Sequence, residues 1–205
     1  YYNPRRMNFG ALRVLNDDRV EAGKGFGTHP HKNMEIISIP LKGKLKHGDS
    51  NKNSRTITIG DIQTMSAGTG IYHSEMNGSD TEPVEFLQIW VMPEKLNTPP
   101  AYRDYDIRPF LRKNELALIV SPDGDAPAKM LQQTWFSIGE IEAGKKIGYH
   151  MHQSHAGVYI FVIEGEVKVD DTVLSRRDGM GVYDTHSFEL ETLKDSHILQ
   201  MEVPM

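Results

Sequence analysis

The chain has 205 residues, with 23 Lys and Arg against 28 Asp and Glu for a formal net charge of −5, and 38% hydrophobic residues. That length and composition fit a globular protein of one large or two small domains, with no apolar run long enough to span a membrane and no Lys/Arg run to grip nucleic acid. Cysteine is absent, which excludes disulfides, thiolate catalysis and cysteine-rich zinc sites.

The first residue is Tyr1 rather than Met, so the translated start is expected further upstream, and with no signal-like segment present the expected compartment is the cytoplasm. Tyr1 to Gly10 is polar and turn-rich, an arm expected to lie on the body. Leu12 to Asn16 reads as a first strand, ended by Asp17-Asp18. Gly23, Gly25 and Gly27 space a loop of little bulk before His29-Pro30-His31, and Pro30 marks that segment as irregular or at a sheet edge. Glu35 to Leu41 is the next strand, turned by Gly43; Lys44 to Asp49 alternates weakly, and His47 to Asn53 reads as a loop. His47 is expected there as a packed or solvated side chain rather than a ligand. Arg55 to Ile59, Ile62 to Met65, Ile71 to Met76 and Val84 to Val91 complete a first set of strands, the last placing Phe86, Gln88 and Trp90 on one face. Asn77-Gly78-Ser79 matches a glycosylation acceptor but reads more simply as a turn.

Residues 93–115 change composition to Pro, Asn, Asp, Tyr and Arg, the signature of an inter-domain connection, whose aromatic residues predict that it packs against a barrel. Strand sequence resumes at Leu116 to Val120 and Thr134 to Ile141. The second half then echoes the first: Phe161 to Val167 parallels Ile39 to Leu45, and Ile198-Leu199-Gln200-Met201 parallels Phe86-Leu87-Gln88-Ile89. The expected class is all-β, two similar antiparallel barrels at 1–92 and 116–205. The second copy is shorter, and the missing segment is expected to be the counterpart of Ala67 to Glu75.

Two short signatures carry chemistry. In an extended strand residues i and i+2 share a face, so His29-Pro30-His31 and His73-Ser74-Glu75 each aim two metal-capable side chains in one direction. Two such strands facing one another would converge four ligands. Three imidazoles and a carboxylate suit Fe(II), Mn, Co, Ni, Cu or Zn and ill suit Ca or Mg. An octahedral ion held by four protein groups keeps two positions for water, substrate or dioxygen.

With Gly23, Glu35 and Gly43 around the first signature, and Gly60-Asp61-Ile62 through Ala67-Gly68-Thr69-Gly70-Ile71-Tyr72-His73 to Asn77 around the second, these segments resemble the two motifs of the cupins. Thr28-His29-Pro30-His31 together with Met65 to Glu75 resembles the pirin branch, and the likeness runs from Phe9 through the first half and more weakly to the end. It implies a bicupin of two tandem jelly-roll β-barrels with one metal, iron first, in the leading barrel at His29, His31, His73 and Glu75. A general cupin would use Glu35 as the carboxylate; the pirin-like pattern favours Glu75 and leaves Glu35 a supporting or structural role. The implied activity is cleavage of a small aromatic flavonol, quercetin-like, by dioxygen, with Glu75 as catalytic base. The alternative implied by the same family is a metal-dependent regulator acting through a protein partner. Phe26, Met34, Met65 and Ile71 read either as walls of an apolar pocket or, as such residues more often are, as plain core. His150-Met151-His152 invites a second site, but measured from Gly165 it lies one residue out of register with His29 and His31, so the trailing barrel is expected to hold no metal; His155 and His186 fit no pattern.

Overall fold

A computed structural model describes Asn3, Pro4 and residues 7–205; the rest of the expected N-terminal arm lies outside the described residues. Strands dominate. In chain order they are β1 (Leu12–Val20), β2 (Gly25–His31), β3 (Glu35–Lys42), β4 (Lys44–Asp49), β5 (Ser54–Thr58), β6 (Asp61–Ser66), β7 (Ile71–Asn77), β8 (Val84–Val91) and β9 (Ala101–Asp106). A 3-10 turn at Arg108–Phe110 follows. Then come β10 (Ala117–Ser121), β11 (Ala128–Lys129), β12 (Trp135–Ile141), β13 (Lys146–His150), β14 (Ala156–Glu164), β15 (Glu166–Val169), β16 (Thr172–Ser175), β17 (Gly179–Tyr183), β18 (Ser187–Thr192) and β19 (Ser196–Pro204). No helix among the described residues is long and apolar enough to cross a membrane.

The chain divides into two compact units. The first is Leu12–Arg108 with Ala128–Gln132; the second combines the segment ending at Ala11 with Pro109–Pro127 and Gln133–Met205. In the first unit, one antiparallel sheet runs β1-β8-β3-β6-β9 and the other β2-β7-β4-β5. In the second, the order β12-β19-β14-β17 repeats β1-β8-β3-β6, and β13-β18-β15-β16 repeats β2-β7-β4-β5. The duplication read from two short echoes is thus a duplication of strand order. The structure is all-β and bicupin-like, as the sequence predicts.

Four local readings change. Gly25 and Gly27 lie inside β2 rather than in a loop, and a Cβ on Gly25 would sit 2.4 Å from the Glu75 carbonyl oxygen, so only glycine lets β2 approach β7 there. His47 to Asp49 belongs to β4 instead of a loop. The connection at 93–115 does more than pack: Ala101–Asp106 forms β9 and pairs with β6, Met65 opposite Tyr102. The shorter second half keeps its counterpart of β7 as β18; the counterpart of Ala67 to Glu75 is shortened rather than missing, and most of the length is lost in the β15–β16 hairpin and the β18–β19 connection. Pro30 lies on edge strand β2, just beyond a register shift between Phe26 and His29, as a residue with no ladder donor requires.

Each unit has its own core. In the first, Ile36, Met65, Ala67 and Ile71 form one cluster and Leu45, Ile57, Val84 and Phe86 another. In the second, Val158, Ile160, Val162, Val167, Leu190 and Ile198 belong to a larger cluster that includes Tyr149 and Phe188. The arm is anchored by Phe9, whose ring packs edge-on against Tyr159 and Tyr183, and by the Ala11 N–H donating to the Pro204 carbonyl at 2.9 Å.

Buried Glu35 holds the detour of the first unit. Its carboxylate accepts the backbone N–H groups of Leu131 and Gln132, each at 2.8 Å, and the Ser66 hydroxyl at 3.1 Å. Burial raises the Glu35 pKa, while these donors pull against it. Two charge-assisted bonds from buried backbone are worth more than surface pairs. Glu35→Gln should therefore lower unfolding free energy by about 2 kcal/mol, measured by urea denaturation, and leave metal content unchanged.

Candidate metal centre

Strand β7 alternates cleanly, with Ile71, His73, Glu75 and Asn77 buried and Tyr72, Ser74 and Met76 turned the other way. Its neighbour β2 pairs with it so that His29 stands opposite His73 and His31 opposite Ile71. The two signatures therefore do face one another, and the bulge between Phe26 and His29 sets this register.

The three imidazoles converge: ligand atoms of His29, His31 and His73 all lie within 4.8 Å of one another. His29 Nδ1 donates to the Gly27 carbonyl at 2.8 Å, which fixes the ring and leaves Nε2 directed at His73 Nε2, 3.0 Å away. His31 packs edge-on against Trp90, ring centroids 4.9 Å apart. His31 Nε2 and His73 Nδ1 are buried with no hydrogen-bond partner among the described residues. Burial, reinforced by neighbouring histidines, lowers the His31 pKa to about 4 and that of His73 to about 3. Three converging imidazoles, two of them with a buried, unpartnered nitrogen, are the donor chemistry that a first-row transition metal requires.

Glu75 falls in a second group. Its ligand atoms lie within 4.8 Å of those of His73 and His47, and not of the full histidine triad. Its carboxylate accepts the Ser38 hydroxyl at 2.9 Å on one oxygen and the Gln88 amide on the other, while Gln88 Oε1 accepts the Trp90 indole N–H at 3.2 Å. Burial raises the Glu75 pKa; the two donors oppose it. Ser38 and Gln88 are the polar residues inside the otherwise apolar runs of β3 and β8, and that interruption is the signal by which they could have been found.

His47 departs from expectation. It is buried beside the histidine cluster, stacked on Tyr102 with ring centroids 4.3 Å apart. Gln63 Nε2 donates to its Nδ1 at 3.1 Å, and its Nε2 donates to Asp49 at 3.2 Å. With both nitrogens engaged it is a wall of the centre rather than a free ligand. Asp49 in turn accepts from Asn51 and Asn53, and these bonds outweigh its burial and lower its pKa. Tyr102 reaches the site from β9, inside the segment read as a connection; nothing in its local sequence announces this.

Other expected residues lie elsewhere. Glu35 joins neither group and serves the fold. Met65 and Ile71 are buried in a core cluster on which partly buried Met34, Trp90 and Tyr102 pack, and Phe26 is 42% exposed. A polar cleft of about 480 Å³ is lined by Thr28, Ser50, Lys52, Asn53, Tyr72 and neighbours. Asp49 and His73 also belong to its lining, so this cleft reaches the edge of the histidine cluster.

The second barrel can be compared position by position, because Leu45 opposite Asn77 on β4 and β7 repeats as Val167 opposite Thr192 on β15 and β18. Glu75, His73 and His47 then correspond to Leu190, Phe188 and Val169. Tyr149 opposite Phe188 repeats His29 opposite His73. None of these four side chains offers a nitrogen ligand. His150 pairs with Ser187 and faces outward. His152 bonds Glu202 through Nδ1 at 2.8 Å and stacks flat on Trp135.

The whole chain has relatives of known kind. The Pirin family matches residues 1–91, and the Quercetinase C-terminal cupin domain matches residues 118–203. The chain is 38% identical over 209 residues to quercetin 2,3-dioxygenase of Escherichia coli K12, covering 100% of this chain and 87% of that protein. It is 33% identical over 213 residues to a pirin-like protein of Caulobacter vibrioides, covering 98% of this chain and 87% of that one. Among solved structures it is similar to bacterial pirin YhhW from Escherichia coli in complex with nickel(II), with a TM-score of 0.92 at 36% identity, covering all of this chain and 87% of that one. With a pirin profile on the first barrel, a quercetinase profile on the second and near full-length likeness to both kinds of relative, this chain belongs to the pirin family.

Proposed function

We propose that the first barrel binds one first-row transition metal, iron foremost, through His29, His31, His73 and Glu75, and opens a quercetin-like flavonol with dioxygen. The observation that carries this reading is the convergence of three imidazoles, with Glu75 two residues from His73 on the same face of β7. The E. coli relative named quercetin 2,3-dioxygenase supports the substrate class. A metal bound there would supply Lewis acidity toward the substrate oxygen and one-electron chemistry toward dioxygen.

The residues divide the remaining work. Burial makes Glu75 a stronger base than an exposed carboxylate, so it is suited to take the 3-hydroxyl proton of the flavonol. Ser38 and Gln88 hold that carboxylate in place by donating to it. Gly27 orients His29, and the Trp90 and Tyr102 rings flank His31 and His47. The His31 and His73 imidazoles are already neutral at pH 7, so these two bind a cation without first losing protons.

Protein as purified should contain about one metal per chain by elemental analysis, and His73→Ala should lose most of it; full occupancy in that variant would remove His73 from the ligand set. Iron-loaded protein should consume oxygen and bleach quercetin, with Glu75→Gln slowing turnover roughly 10²-fold or more. Activity no greater than that of free iron would favour a regulatory role. Metal-free protein should melt at progressively lower temperature as pH falls from 6.5 towards 4: the unfolded chain takes up protons on His31 and His73 that the folded chain refuses, so this contribution favours folding less at lower pH. A flat profile over that window would contradict the neutral imidazole cluster.

A further inference from the structure

In the first barrel Gln88 is fully employed, its amide N–H on Glu75 and its carbonyl on the Trp90 indole. Its counterpart in the second barrel is Gln200, which faces Ile160 on β14 as Gln88 faces Ser38 on β3. Both former partners have changed. Leu190 stands for Glu75, and Glu202, opposite Val158, stands for Trp90, opposite Ile36.

Glu202 does not take up the vacated role. Its two oxygens accept the Tyr149 hydroxyl at 2.8 Å, His152 Nδ1 at 2.8 Å, and the backbone N–H groups of His152 and Gln153. Gln200 is 1% exposed, and neither its amide nitrogen nor its amide oxygen has a partner among the described residues. Such buried polar atoms are costly unless something completes them. It shares a face of β19 with Ile198 and Glu202 and so points into the apolar cluster of Val158, Ile160, Leu190 and Ile198. At the margin of that cluster lie partly buried Met151 and Met180, unbranched side chains that repack readily to admit a guest.

We propose that Gln200 is the polar anchor of a small-molecule site inside the second barrel, taking compact uncharged planar amides or lactams. Such a ligand carries a carbonyl next to an N–H, matching the adjoining donor and acceptor of the Gln200 amide, while its hydrocarbon part lies among the apolar side chains. A charged ligand is disfavoured, because its solvation would be lost against apolar walls and the neighbouring Glu202 is already saturated by its own donors. The site is independent of the metal centre and stands or falls separately from it.

The test uses the full-length, metal-loaded chain titrated with benzamide, with δ-valerolactam, and with cumene as an apolar control of benzamide-like shape, followed by saturation-transfer NMR and thermal melting. The two amides should bind at millimolar concentration and raise the melting temperature; cumene should do neither. Gln200→Leu should weaken amide binding at least tenfold while metal content stays that of the parent. Should that variant fold poorly, Gln200→Met, which keeps the side-chain length, gives the same comparison. Binding of cumene as tight as benzamide, amide binding unchanged in a folded Gln200 variant, or no binding of either amide to the parent protein would overturn the proposal.

Discussion

Everything at the metal centre depends on the pairing of β2 with β7 in one register, His29 opposite His73. A strand has a side-chain period of two, so a slip of one residue would turn His29 and His31 away from His73 and Glu75 together. Two local features hold the register: Gly25, which alone allows the close approach to the Glu75 backbone, and the bulge that takes up the extra residue before His29. The site is therefore built from backbone geometry first and side-chain chemistry second.

Around that pairing the protein has placed polar groups in layers. His31 and His73 are kept neutral by burial and by neighbouring histidines, and Glu75 is held by donors on β3 and β8, so the two halves of the proposed ligand set are supported from different sheets. His47, Gln63, Asp49 and Tyr102 form a further hydrogen-bonded wall in which every polar group of His47 is satisfied. A buried network of this kind is rigid only when complete, and β9 completes it by delivering Tyr102.

The second barrel shows what the same frame does when the ligands are exchanged. Tyr149, Phe188, Leu190 and Val169 occupy the places of His29, His73, Glu75 and His47, and the strand order is unchanged. Glu202 now gathers Tyr149 and His152, so a carboxylate with its own donors crosslinks the strands where the first barrel gathers imidazoles. Fold and chemistry are separable here, which is why likeness of architecture alone would not reveal function.

Much of this was legible in the chain itself. Alternation within Ile71 to Met76 and Val84 to Val91, glycines at turns, and the echo around Gly43 and Gly165 specify strands and their repetition, because side-chain period and backbone freedom are local properties. His-x-His and His-x-Glu on strands likewise announce a common face. What the tertiary structure alone decided are the contacts between residues distant in sequence: that His47 is buried beside His73, that Tyr102 arrives from an apparent connection, that Ile36, Met65, Ala67 and Ile71 meet in one core cluster, and that Glu35 caps Leu131 and Gln132. Those depend on which strands become neighbours across a sheet, and no periodicity within one segment encodes its partner.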